Sequence, residues 1–188
     1  MDRIFLTGFS LTGKSVVGQK LAERINWRFL DVDAEVEKRV GQKIQQIFSV
    51  QGEQGFRKFE RDVIAEAFRE THLVVATGGG AIIDDDNRYG MLASGIVVCL
   101  EATPDTILGR LNAADAISIS DRPLLRTKDP MGAIRKLKAD RQSLYASAHW
   151  TIHTDFLSPR EVTEEIIRAV DLLGGNTMFG QNPTDEGE

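Results

Sequence analysis

At 188 residues, with 41% hydrophobic and 27% charged residues, the sequence fits one globular domain whose core needs neither disulfides nor a structural metal. The formal net charge of −5 excludes a general nucleic-acid or membrane-binding surface, since both require basic patches, but leaves room for an anionic small molecule held by a few Arg and Lys residues. A single cysteine, Cys99, excludes an internal disulfide, and its apolar setting from Ile96 to Leu100 predicts a buried, inert thiol. The start MDRIFLTG has no long apolar stretch, and no run approaches the ~20 apolar residues of a membrane span, so the expectation is a cytoplasmic protein.

In chain order, Ile4-Phe5-Leu6 reads as a first strand, followed by a glycine loop and a helical pattern from Val16 to Ile25. Arg28-Phe29-Leu30 reads as the second strand. A helical stripe with Val63, Ile64, Ala67 and Phe68 leads to a third strand, Leu73 to Ala76. Ile96 to Leu100 is the fourth, and Thr103-Pro104 opens a helix after it. Trp150-Thr151-Ile152 is the fifth. The last helix starts at a capping box, with Ser158 as cap, Pro159 in the first turn and Glu161 three residues on, and stops at Gly174-Gly175. Most strands lack period-2 alternation, as strands buried on both faces do. Alternating strands and helices imply an open α/β sheet with right-handed crossovers. Residues 113–120 have weak periodicity and read as a mobile flap or a plain surface loop. The polar end from Asn176 to Glu188 reads as a disordered tail.

Gly8-Phe9-Ser10-Leu11-Thr12-Gly13-Lys14-Ser15 matches G-x-x-x-x-G-K-[ST], between a strand and a helix as that motif requires. Backbone N–H groups of a tight loop, with the positive end of the next helix, wrap the phosphates of a nucleotide such as ATP. Gly8, Ser10, Leu11, Thr12, Gly13, Lys14, Ser15 and Val16 are the candidate residues. Lys14 would reach the β- and γ-phosphates, and Ser15 would offer its hydroxyl to Mg²⁺. Leu11 stands where many such loops carry glycine, so a leucine must accept the backbone angles the loop imposes.

Further motifs concern the phosphoryl acceptor. Leu30-Asp31-Val32-Asp33 ends the second strand. If that segment is extended, the i, i+2 spacing turns both carboxylates the same way, one toward Mg²⁺ beside Ser15 and one toward a hydroxyl. Glu60 falls one helical turn after Arg57 and could hold it. Gly78-Gly79-Gly80 follows the third strand directly, where missing side chains let the backbone meet a ligand. His72, His149 and His153 show neither metal-ligand spacing nor a catalytic partner, and read as structural or surface residues.

This series, D-x-D, then G-E-x-x-F-R-x-x-E from Gly52 to Glu60, G-G-G, Arg122-Pro123-Leu124-Leu125 and Arg141 ahead of Tyr145, resembles the shikimate kinase family over residues 3 to about 170. The resemblance implies a P-loop NTPase three-layer sandwich: a five-stranded parallel sheet of order 2-3-1-4-5 flanked by helices, with a lid at about 112–126. Residues 1–173 would be the kinase domain and 174–188 the tail. It implies transfer of the γ-phosphate of ATP to the 3-hydroxyl of shikimate. Asp31 then belongs to the metal site with Ser15. Asp33 becomes the candidate base that holds the shikimate hydroxyls. Arg57 and Arg141 clamp the carboxylate, which a planar guanidinium can bind through two hydrogen bonds. Gly78, Gly79 and Gly80 border the same substrate, and Phe48 and Phe56 are pocket walls or core. Lys14 and the lid residue Arg122 neutralise the transferring group. Arg110 and Pro159 form walls of the adenine pocket. The partners expected are ATP and shikimate alone, on a monomer. Two alternatives stand beside this: a kinase of another small hydroxy acid such as gluconate, and a catalytically weak sensor that binds shikimate or nucleotide.

Overall fold

The computed structural model describes residues 2–113 and 123–174. Five strands, β1 (Arg3–Thr7), β2 (Arg28–Asp31), β3 (Leu73–Ala76), β4 (Ile96–Glu101) and β5 (Trp150–His153), form one parallel sheet of order β2-β3-β1-β4-β5, the order the resemblance implies. The helices are α1 (Lys14–Ile25), α2 (Val32–Val40), α3 (Ile44–Ala67, interrupted at Gly52), α4 (Asp85–Ser94), α5 (Pro104–Ala113), α6 (Pro130–Tyr145) and α7 (Pro159–Gly174). Arg122 and most of the 112–126 lid lie outside the described residues, as does the tail beyond Gly174. Among the described residues no helix is long and apolar enough to cross a membrane.

The central strands are buried on both faces, which is why their sequences do not alternate. In β1, Phe5 packs with Val75 and Val97 into one layer under α2, α3, α4 and α6, while Ile4 and Leu6 pack with Val74 and Val98 against α1 and α7. Each fully buried aliphatic or Phe side chain stabilises the sandwich by ~1.5–3 kcal/mol. The edge strands β2 and β5 are only partly buried. Cys99 is buried, and burial pushes its thiol up to about 12, so it is inert as expected. His149 is structural: its Nδ1 accepts from Val97 N at 3.0 Å.

The crossover from β1 runs to β2 on one side of it, and the crossover from β3 passes to β4 on its other side, so a crevice opens at the C-terminal end of β1. Helix starts around the crevice are mostly capped by side chains. Asp31 caps α2, Asp84 caps α4, and Ser158 with Glu161 forms the reciprocal box that starts α7. Helix α1 differs. It begins at Lys14 behind Gly13, with no side-chain cap and no acidic residue in its first turn, so its free N–H groups remain available to an anion.

Candidate active site

The Gly8–Ser15 loop turns from β1 into α1. Gly8 has φ 123°, and a Cβ there would lie 2.1 Å from the carbonyl oxygen of Leu100, so no other residue fits. Leu11 does take the left-handed angles its position imposes, at φ 66°. A non-glycine residue held there costs on the order of 1–3 kcal/mol, so neighbouring contacts must hold it. One is visible: Arg110 Nη1 donates to the Leu11 carbonyl at 2.9 Å and to Thr154 Oγ1 at 3.1 Å, and Nη2 donates to the Thr154 carbonyl at 2.6 Å. Arg110 thereby ties the loop to the residue that follows β5.

Lys14 folds back over the loop and donates to the carbonyls of Gly8 (3.0 Å) and Phe9 (2.7 Å), while Thr12 Oγ1 donates to the Phe9 carbonyl. Ser10, Leu11, Gly13, Lys14, Ser15, Val16, Asp31, Asp33, Gly79 and Arg110 all line one cleft. Pro159 is not among its walls; it opens α7 and is exposed.

The D-x-D expectation needs correction. The extended segment ends at Asp31, and Val32 already begins α2. Asp31 is the N-cap, its Oδ1 accepting from Ala34 N at 3.1 Å, and Asp33 lies in the helix's first turn. The two carboxylates therefore share the cleft by the geometry of a strand-to-helix junction rather than by strand alternation. An aspartate at that junction satisfies an otherwise orphaned helix N–H, which is the physical reason the strand stops there.

Beside the cleft lies a second pocket, joined to it through Ser10, Asp33 and Gly79. Phe9, Phe48 and Phe56 give it apolar walls, with the Phe48 and Phe56 rings 5.0 Å apart. Phe56 both lines this pocket and packs in the core. Arg57, Gly78, Gly79, Gly80 and Arg141 complete the lining, along with Pro123, Leu124 and Leu125, where the chain emerges from the lid region.

Arg57 is held as its spacing predicts: Nη1 donates to Glu60 Oε2 at 2.6 Å, and Nη2 to Glu53 Oε1 at 2.9 Å. Burial works to depress its pKa, but the two carboxylates outweigh burial and raise it. Glu60 is wholly buried, and burial is the main force that pushes it up to about 7. The Arg57 charge opposes that rise and the Asp33 charge adds to it. The triple glycine has a second purpose beyond meeting a ligand. A Cβ on Gly78 would lie 2.3 Å from Glu60 Oε1 and 3.0 Å from Asp33 Oδ1, and one on Gly80 would lie 2.2 Å from Arg57 Nη2. The glycines make room for the pocket's own charged side chains.

Arg141 is 7% exposed and reaches the pocket from α6. Its Nη1 donates to the Gly79 carbonyl at 3.3 Å, and its guanidinium stands 6.0 Å from the Phe9 ring centre. No carboxylate among the described residues pairs with it. Tyr145, one turn further along α6, donates to the same Gly79 carbonyl at 2.5 Å, and burial pushes its phenol up. Its i+4 spacing from Arg141 is the only sequence signal for this role, and spacing alone does not show what both side chains reach.

The shikimate kinase family model matches residues 11–171 of the chain. The curated shikimate kinase of Caldanaerobacter subterraneus subsp. tengcongensis is 38% identical over 175 residues, covering 93% of this chain and 99% of that one. Among solved structures, a shikimate kinase from Acinetobacter baumannii in complex with shikimate superposes with a TM-score of 0.86 at 36% identity, covering 95% of this chain and 96% of that one. A gluconokinase from Sinorhizobium meliloti superposes with a TM-score of 0.61 at 16% identity over 96% of this chain and 98% of that one, a likeness of fold alone.

Proposed function

The chain belongs to the shikimate kinase family, and we propose that it moves the γ-phosphate of ATP to the 3-hydroxyl of shikimate, giving shikimate 3-phosphate and ADP. The observation that carries this reading is Arg141. A buried guanidinium facing a pocket, with no carboxylate partner among the described residues, is an unbalanced charge that an anionic ligand would neutralise. Shikimate brings one carboxylate and three hydroxyls, and the pocket offers Arg141 and Arg57 for the first and Asp33 for the second.

Phosphoryl transfer asks the protein mainly for position and charge stabilisation. The loop amides and the uncapped start of α1 hold the nucleotide's phosphates. Substrate phosphate draws Lys14 from the Gly8 and Phe9 carbonyls, and its ammonium then offsets charge on the β- and γ-oxygens. Arg141 and Arg57 fix the acceptor's carboxylate, which turns the hydroxyl toward the neighbouring cleft. Asp33, shared by both pockets, orients that hydroxyl and takes its proton as the new O–P bond forms and ADP departs. In this reading a lid over about 112–126, most of which lies outside the described residues, would close above the phosphates, exclude water and bring Arg122 to the transferring group.

The residues also fit Mg²⁺. Ser15 and Asp31 put a hydroxyl and a carboxylate on the wall of the phosphate cleft, and hard oxygen donors few in number are what this ion takes when substrate phosphates complete its shell. Bound there, the ion would supply positive charge to the phosphates. Arg110 and the region of Pro159 would border the adenine. The assembly proposed is a monomer in the cytoplasm, with ATP and shikimate as its partners.

The test is coupled ADP release with Mg·ATP, with and without acceptor. Strong stimulation by shikimate and little by gluconate is the expected result. Equal stimulation by gluconate would overturn the assignment, and tight shikimate binding without ADP release would make the protein a sensor.

A further inference from the structure

Helix α6 has an unusual buried face. Its buried residues are Ile134, Lys138, Arg141 and Tyr145, so three of the four are polar anchors. Apolar packing is non-directional and tolerates sliding, whereas hydrogen bonds to fixed carbonyls and carboxylates specify one register. Arg141 and Tyr145 fasten the helix to the Gly79 carbonyl after β3. Lys138, on the same face, fastens it to the other side of the crevice. Its Nζ donates to Glu101 Oε1 at the end of β4 and to the Ala102 carbonyl at 2.8 Å.

The Lys138 and Glu101 residues are both 8% exposed, and Glu101 Oε2 has no hydrogen-bond partner among the described residues. A buried pair left partly unsatisfied is weak support for stability. Its location suggests what it does contribute. The Glu101 carbonyl accepts from Thr154 N (2.8 Å) and Thr154 Oγ1 (3.1 Å). Thr154 in turn accepts from Arg110, which holds the Leu11 carbonyl of the phosphate loop. Hydrogen-bonded residues, joined through the covalent frame of Glu101, thus link the helix that carries the carboxylate clamp to the loop that cradles phosphate.

We propose that Lys138 and Glu101 are positioning residues for the transfer: their ion pair sets the register of α6 across the end of β4, and so the placement of an acceptor held by Arg141 relative to the γ-phosphate above the loop. This rests on the kinase reading above. Neither side chain lines the acceptor pocket or the phosphate cleft, so the pair acts through the helix.

Removing one partner would strand a buried charge, so the main test removes both, with Lys138→Met and Glu101→Gln combined. The double variant should fold with nearly the wild-type melting temperature. Its kcat should fall about tenfold to a hundredfold, the scale of an ångström-sized misplacement, while KM for shikimate and for ATP changes less than about threefold. Lys138→Arg, which keeps the pair, should recover most of the loss. Glu101→Asp covers the case in which the double variant does not fold. It keeps both charges but shortens one arm, and it should lower kcat in a folded protein. A folded double variant, or a folded Glu101→Asp protein, with wild-type kcat overturns the proposal. So does a lowered kcat accompanied by a proportionate rise in both KM values, because that marks general loosening. Wild-type protein without shikimate-stimulated ADP release would instead sink the functional reading itself.

Discussion

The two halves of the site are built in opposite ways. The proposed phosphate cradle is one continuous stretch, Gly8 to Ser15, and that reading rests on backbone N–H groups and one lysine. The proposed acceptor pocket draws Asp33 from α2, Arg57 from α3, the glycines after β3, and Arg141 from α6, with Glu60 of α3 buried behind Arg57. The cradle keeps its unusual backbone angles local, at Gly8, Leu11 and Gly13, which all have positive φ, and of these only Leu11 is strained by them. In the acceptor pocket the unfavourable terms are buried charges, and distant residues must arrive together to balance them. Damage to the cradle should therefore stay local, while damage to the pocket should spread through shared charges.

The largest expected effect tests the residue common to both halves. Asp33→Asn should lower kcat by about 10²- to 10⁴-fold, the usual contribution of a positioned base, with ATP binding intact and no recovery at higher Mg²⁺. Asp31→Asn should lose activity that added Mg²⁺ partly restores. A Mg²⁺ titration of both variants, with ligand binding measured separately, checks this; restoration of Asp33→Asn by the ion would reverse the two roles.

Next in size is Arg141→Ala. Losing a charge-assisted clamp should weaken shikimate binding by about 1.5–3 kcal/mol and leave ATP affinity nearly unchanged. Calorimetry with each ligand decides. A loss confined to ATP would mean that Arg141 does not serve the acceptor.

The third prediction uses the pocket's buried charge. Glu60 is pushed up to about 7 from an ordinary 4.5, so the folded state binds its proton more tightly than the unfolded state does. Its contribution to stability is therefore complete below about pH 4.5 and is lost as pH rises through 7. Glu60→Gln should flatten this dependence, removing roughly 1–3 kcal/mol of the stability change between pH 5 and pH 8. Denaturant unfolding at the two pH values measures it. Parallel curves for the two proteins would show that Glu60 is ionised throughout the range.

Smallest is Leu11→Gly in the cradle. It relieves a left-handed leucine but removes a side chain partly packed on the core, so the net stability change should stay within about 1 kcal/mol. Thermal unfolding gives the stability, and a nucleotide titration should show affinity changed by no more than about threefold. A larger loss of affinity would show that the leucine side chain shapes the cradle.

Much of the fold is readable without the structure, because buried parallel strands are short apolar runs and helices carry their own start and stop residues. Ile4 to Leu6, Leu73 to Ala76 and Ile96 to Leu100 fall within strands, and the Ser158-Pro159-Glu161 start of α7 forms as its capping pattern predicts. Helix α2 is different. Asp31 and Asp33 look like a strand end in sequence, yet Asp31 caps a helix, and the change from strand to helix depends on a hydrogen bond that sequence spacing does not reveal. Glu60 holding Arg57 is a one-turn relation within one helix and was accessible from spacing. Tyr145 reaching Gly79, and Lys138 reaching Glu101, span 66 and 37 residues and were not.

Local chemistry thus separates from global chemistry along this chain. The phosphate loop, its helix and the strands are determined by neighbours in sequence, because backbone angles, caps and hydrophobic runs act over a few residues. The family motifs name the acceptor side chains without explaining their geometry. Why Gly78 must lack a side chain, why burial raises Glu60 above the ordinary carboxylate range, and which carbonyl Arg141 and Tyr145 share were decided only when the sheet brought these segments together. The physical reason is that desolvation and charge balance are properties of a surrounding volume, and a linear sequence does not specify which groups will fill it.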